Sequence, residues 1–357
     1  MAGSRPHHEP VSTHVVRAIA RRHLPKGITL VNSRGTPHRV WARPARSRPG
    51  ALLGACLAAV ALVTVLLPTT AIGTAGTAAS GVAAARAADP AKDRPTLPAR
   101  CRADSDQHLS KPGPCYVTRF DRTRPTVMLW GDSHAYHHIP AVRAAVRGQN
   151  VNLVLFIAGA CPPMVRLADQ QDTCSSINRQ ALEFVTRLHD NGRRLTVLLG
   201  AYWHWYLSTL EKIDAGAEPE ADEAYIFEQS REFRGGVPRM FRTLGRMRVD
   251  ADVLGPVPTV PDGVAPCFQG EDPYACPILR GQALPDEGST REYVATQMAA
   301  LHGRPRLINL KPRICDSTFC YGRRDDVYTW YDGIHLSATF SRSTTPAFRG
   351  IVRDLKR

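Results

Sequence analysis

The sequence predicts a three-layer α/β/α sandwich built on a parallel sheet, and two observations predict it. Short apolar runs recur at 126–130, 151–157, 195–199, 251–254 and 306–310, and most are apolar nearly throughout instead of alternating with polar residues. Strands of that kind are buried on both faces. Stretches of helical periodicity separate them. At 175–190, Ile177, Ala181, Phe184, Val185 and Leu188 share one face, and Asn191-Gly192 supplies a stop. Strands alternating with helices form crossover units, hence a parallel sheet covered on both sides. Such sheets carry their functional loops at the carboxyl ends of the strands. The residues that follow Trp130, Ile157, Leu199, Leu254 and Leu310 are therefore where chemistry is expected.

The bulk composition, 43% hydrophobic and 22% charged over 357 residues, allows a sizeable core. The net charge of +14 is unevenly placed: residues 1–50 hold ten Lys/Arg against one acid, Glu9. That block precedes an uncharged segment, ALLGACLAAVALVTVLL at 51–67, closed by Pro68. The charge is thus explained by membrane topology, and no nucleic-acid partner is expected. The segment lies at the short end of a spanning helix, and Arg43, Arg46 and Arg48 would stay in the cytoplasm. The expected organisation is a basic cytoplasmic tail at 1–50, a transmembrane signal anchor at 51–72, a flexible linker at 73–99 rich in Ala, Gly, Thr and Pro, and a globular domain at 100–357. The chain would then be a single-pass protein of the cell membrane with its domain outside. Two rival readings of the apolar segment are a buried core helix and a signal peptide cleaved near Ala85-Arg86-Ala87.

Cysteine usage fits that topology. Cys56 lies in the apolar segment, and eight more follow as neighbours: Cys101 and Cys115, Cys161 and Cys174, Cys267 and Cys276, Cys315 and Cys320. An even number beyond the segment implies an oxidising compartment. Sequential pairing is the simplest arrangement, since each pair closes a short loop. No C-x-x-C occurs, and the spacings do not suit a zinc site.

Directly after the first apolar run stands Gly131-Asp132-Ser133-His134. A strand, a tight glycine turn, a serine and a helix suit an exposed nucleophile, although a Ser or Asp before a helix is also an ordinary cap. A serine hydroxyl needs a base, and the base an orienting acid. Near the C-terminus, Tyr331-Asp332-Gly333-Ile334-His335 places Asp and His three residues apart, so that one turn can join them. An Asp–His cap is the bland alternative.

Taken together, the two motifs in the order Ser, Asp, His resemble the SGNH (GDSL-type) hydrolase superfamily, whose first block carries GDS and whose last is DxxH. The GDSH form resembles more narrowly the SGNH domain fused behind acyltransferase-3 membrane proteins. Ala160-Cys161-Pro162-Pro163, Gly255-Pro256-Val257-Pro258 and the Cys315–Cys320 loop are further, weaker matches within residues 100–357. The resemblance implies a flavodoxin-like parallel sheet, Ser133 as nucleophile, His335 as general base and Asp332 as its orienter. It implies the backbone N–H groups of Ser133 and Gly159 as oxyanion donors, and no cofactor or metal. The third block departs from the superfamily's GxND: here it reads Gly200-Ala201-Tyr202-Trp203, without the Asn whose side chain donates to the oxyanion, so either those backbone groups suffice or another donor replaces it.

Two clusters remain. His134, His137 and His138 stand at i, i+3 and i+4, a spacing that can face a metal, but no carboxylate joins them. Tyr202, Trp203, Trp205 and Tyr206 form an aromatic patch; Tyr202, Trp203 and Trp205 are candidates to stack on a sugar, or the patch is packing. The expected function is extracytoplasmic serine acyl transfer, most simply of acetyl to an envelope or exported polysaccharide through an acyl-serine. The partners would be a glycan or acyl-ester substrate and a separate membrane acyltransferase that brings acyl donors. An O-acetylesterase and a non-catalytic glycan-binding module are the alternatives.

Overall fold

The computed structural model describes residues 89–102, 113–165, 172–261, 277–324 and 327–357. The basic tail, the apolar segment and residues 73–88 lie outside the described residues, as do Cys267 and Cys276. No helix among the described residues is long and apolar enough to cross a membrane.

Six strands form the sheet: β1 (Cys115–Tyr116), β2 (Thr126–Gly131), β3 (Asn152–Ile157), β4 (Leu195–Gly200), β5 (Asp250–Leu254) and β6 (Leu307–Ile308). Their order is β1-β3-β2-β4-β5-β6. All pairs are parallel except β1 with β3. The five parallel strands follow the flavodoxin-like order, so connections leave in opposite directions from β2 and a crevice opens beyond it. β2 and β4 run in register from Thr126 opposite Leu195 to Gly131 opposite Gly200.

Every residue of β2, β3 and β4 is buried. Alternation sends Val127, Leu129, Leu153 and Leu155 to one face, where α2 (Ile139–Val146), α7 (Ala338–Ser343) and α8 (Pro346–Leu355) pack. Met128, Trp130, Val154 and Phe156 go to the other, against α3 (Thr173–Asp190), α4 (Trp203–Asp214), α5 (Ala224–Arg246) and α6 (Glu287–Met298). The three layers are those expected. The last strand is shorter than its apolar run: Pro305 precedes it, and Asn309 accepts from Lys311 N at 3.1 Å to begin a turn.

Three of the four expected disulfides are present: Cys101–Cys115, Cys161–Cys174 and Cys315–Cys320. The end of the expected linker needs correction. Residues 89–99 dock on the domain: Leu97 is in the core, and the Tyr136 hydroxyl donates to the Pro95 carbonyl. The Asp93 carbonyl and carboxylate accept from Ala338 N and Thr339 N, at 2.8 and 3.0 Å, where α7 begins. Composition alone does not reveal such docking, because it depends on what the segment lies against.

Candidate active site

The Gly-Asp-Ser-His turn sits where β2 ends beside β4. Gly131 has φ +154°, and a Cβ there would lie 1.7 Å from the Gly200 carbonyl oxygen. A Cβ on Gly200 would in turn meet Ala135 at 2.9 Å. Only two glycines let the strands end this closely with α1 (Ser133–Tyr136) against them. Asp132 caps α1 and does more. One carboxylate oxygen accepts from His134 N at 2.8 Å; the other accepts from Tyr202 N at 2.8 Å and the Tyr206 hydroxyl at 2.9 Å. Burial pushes the Asp132 carboxyl up to about 6, against the pull of those three donors and of His335. Ser133 itself is half-buried.

The Asp332–His335 pair lies in the loop beyond the last strand. His335 Nδ1 is 2.7 Å from Asp332 Oδ2, while Asp332 Oδ1 accepts from His335 N at 2.8 Å and Ile334 N at 3.1 Å. One carboxylate thus shapes the turn and orients the ring, so Nδ1 carries the proton and Nε2 the lone pair. Burial raises the Asp332 carboxyl, but its hydrogen bond and charge pairing with His335, with the two backbone donors, hold it below the usual value. Tyr331 stacks on His335 at 5.6 Å and 14°, and the Arg94 guanidinium lies over the Tyr331 ring. The Trp330 indole donates to the Pro258 carbonyl at 2.8 Å, and Val260 N to the Gly333 carbonyl at 2.8 Å. Those bonds fasten the loop to the segment that follows β5.

The two motifs meet at one edge of the sheet. The ring of His134, next to Ser133, lies 5.3 Å from that of His335. No Ser133–His335 hydrogen bond is present: His335 Nε2 is buried and without a partner. Such bonds are often loose without substrate and tighten in the reacting complex.

Of the other expected residues, Gly159 lies in the turn directly after β3, beside the end of β2, where Ala158 N donates to the Gly131 carbonyl at 3.2 Å. The aromatic patch divides. Trp203 is 1% exposed and its indole donates to the Leu254 carbonyl at 2.8 Å, so it belongs to the core and cannot stack on a sugar. Trp205 is 36% exposed and lies 5.7 Å from Tyr202, whose ring stacks on His134 at 3.9 Å and 14°. His134, His137 and His138 are all buried, and burial first, then neighbouring imidazoles, pushes His134 and His137 well below the usual histidine range. Burial alone takes His138 to about 3. Among the described residues no group of three His, Cys, Asp or Glu is placed to hold a metal.

The sequence shows Asp132 only as an ordinary helix cap, not as the acceptor that ties Tyr202 and Tyr206 to the turn. Asn178 left no signal. Its side chain accepts from the Trp130 indole at 2.6 Å and from Met164 N at 3.3 Å, and donates to the Pro162 carbonyl at 3.0 Å. It thereby joins β2 to the loop that carries Gly159 and the Cys161–Cys174 bridge. Asn178→Leu is expected to lower stability in chemical denaturation by about 1–3 kcal/mol for each buried group left unpaired. An unchanged denaturation midpoint would contradict that role.

A doubly wound sheet with a serine at its switch point and an oriented imidazole beside it is the architecture of a serine esterase or acyltransferase. The chain belongs to the SGNH domain family that is fused to AT3 domains, whose model matches residues 100–350. It is an enzyme of that esterase–acyltransferase class. No curated protein matches the chain. Among solved structures it is similar to the periplasmic domain of a lipopolysaccharide acetyltransferase from Salmonella ser. Paratyphi A, with 14% identity, a TM-score of 0.43, and coverage of 65% of this chain and 85% of that one.

Proposed function

We propose that the protein transfers acetyl groups to hydroxyls of a cell-envelope or exported polysaccharide, on the outer side of the membrane, through an acyl-serine at Ser133. The observation that carries the reading is the Asp332–His335 pair, 2.7 Å apart, with His335 Nε2 buried and unpartnered beside the Ser133 turn. As Ser133 Oγ bonds to the acyl carbon, its proton passes to His335 Nε2 and the carbonyl electron pair moves to oxygen. Collapse of that intermediate expels the leaving alkoxide, which takes the proton back. A sugar hydroxyl then repeats the sequence on the acyl-serine, with His335 again as base. Asp332 holds the imidazole and balances its charge. The backbone N–H groups of Ser133 and Gly159 are candidate oxyanion donors.

Tyr202 and Trp205 at the rim would stack on the sugar. Residues 51–67 would hold the domain to the membrane, and a membrane acyltransferase would supply the donor; the family's fusion to AT3 domains supports that partner. Cells with and without the chain test the reading by alkali-released acetate from purified envelope polysaccharide. Acetate that appears only with the parent chain, and not with Ser133→Ala, is expected. A loss of acetate on expression would indicate the esterase. No change in either direction would refute both. Protease added to intact cells should digest the domain.

A further inference from the structure

The proposed acyl-serine chemistry leaves one question open, and the following inference rests on that reading: what replaces the side-chain donor that the third block lacks. The residues in that block have committed their polar groups. Tyr202 N donates to Asp132, the Tyr202 hydroxyl faces Thr259 Oγ1 at 3.4 Å, and the Trp203 indole is spent on the Leu254 carbonyl. Replacement must come from another element.

We propose that His134 is a catalytic residue whose Nε2–H donates to the oxyanion formed when Ser133 adds to the acyl carbonyl. His134 follows the nucleophile directly, and its ring lies 5.3 Å from that of His335. Both imidazoles have a buried Nε2 with no hydrogen-bond partner. The His134 Nε2–H is costly to bury without an acceptor, and that cost is recovered when the carbonyl oxygen takes up charge beside it, while His335 Nε2 remains the acceptor of the serine proton. The ring is not free to turn aside. It stacks on Tyr202 at 3.9 Å, and Tyr202 is pinned through its own N–H to Asp132. Burial and the neighbouring His335 and His138 keep His134 neutral. A neutral imidazole can act as an electrophile of this kind without itself giving up a proton. No proton leaves His134 in the step: the Ser133 proton goes to His335, and His134 lends only a hydrogen bond that strengthens as charge grows on the carbonyl oxygen.

The test uses the full-length chain in detergent with 4-nitrophenyl acetate as acyl donor, and reads kcat and KM for nitrophenolate release. A boronic acid serves as the tetrahedral oxyanion mimic. His134→Phe keeps an aromatic ring on Tyr202 but removes the donor; His134→Gln keeps a donor. His134→Phe is expected to lose kcat by about 10²–10³, with KM little moved and boronate binding weakened in parallel. His134→Gln should recover at least about tenfold of that loss, since a misaligned amide still donates. If the Phe variant fails to fold, His134→Met against His134→Gln gives the same comparison at similar volume. Equal rates for the donor and non-donor variants, or boronate binding unchanged in the non-donor, would overturn the assignment. Ser133→Ala run in parallel separates the two layers. An inactive Ser133→Ala with a fully active His134→Phe removes only His134, whereas a fully active Ser133→Ala removes the acyl-serine reading itself.

Discussion

Ser133→Ala and His335→Ala should each reduce acyl-serine turnover by on the order of 10⁶, because nucleophile and base act as one unit and losing either loses nearly all of what both supply. The folded state should persist. Ser133 is only half-buried, and His335 Nε2 bonds to nothing in the resting structure. Asp332→Asn should fall less, on the order of 10⁴, by presenting an amide to an imidazole that needs a charge. The loop should hold, since an Asn oxygen can still accept from the two backbone N–H groups that Asp332 Oδ1 accepts from. The measurement is trapping of the acetylated chain by intact mass, alongside release of nitrophenolate. Acetylation of Ser133→Ala at the parent rate, or on a different residue in the parent, would end the mechanism.

Asp132 is expected to matter almost as much, by a different route. Its carboxylate holds the N–H of His134, the N–H of Tyr202 and the hydroxyl of Tyr206. Asp132→Ala strands three donors in the interior, at about 1–3 kcal/mol each. It also unties the Ser133 turn from the β4 loop, and a displacement of about 1 Å at reacting atoms can cost on the order of 10² in rate. Asp132→Asn isolates the charge. With a folded value of about 6 against an ordinary 3.8, the folded chain keeps this proton longer than the unfolded chain does. Its contribution to stability is therefore greatest at low pH and declines as pH rises from about 4 to about 6. Asp332 runs the other way: its depressed value gives stability that is present above 3.8 and lost as pH falls through the lower, folded value. Denaturation of parent and Asp132→Asn at pH 4 and pH 7 should therefore show a smaller downward change with pH in the variant. An identical change in both would show that Asp132 does not titrate in that window.

The strands were legible because they are buried on both faces and therefore apolar throughout. The run at 195–199, for example, appears as β4 with one residue added. β1 was not legible. It has two residues, Cys115 and Tyr116, too few for any period, and it is held by pairing with Leu155 and Val154 of β3 and by the bridge to Cys101. The site divides in the same way. Asp332 and His335 were readable because three residues of separation make a contact within one turn. The bonds from Asp132 to Tyr202 and Tyr206 cross 70 and 74 residues and leave no local trace. Trp203 and Trp205 look alike in the sequence, yet residues two apart on a helix face opposite ways, so one enters the core and the other stays at the rim.

The docked stretch at 89–99 has a practical consequence for anyone who wants the domain alone. The resemblance and Cys101, the first disulfide cysteine of the domain, invite a cut near residue 100. That cut would remove Leu97 from the core, take away both Asp93 acceptors at the start of α7, and lift Arg94 off Tyr331, the ring that stacks on His335. A piece that retains these supports of the imidazole must begin no later than Asp93.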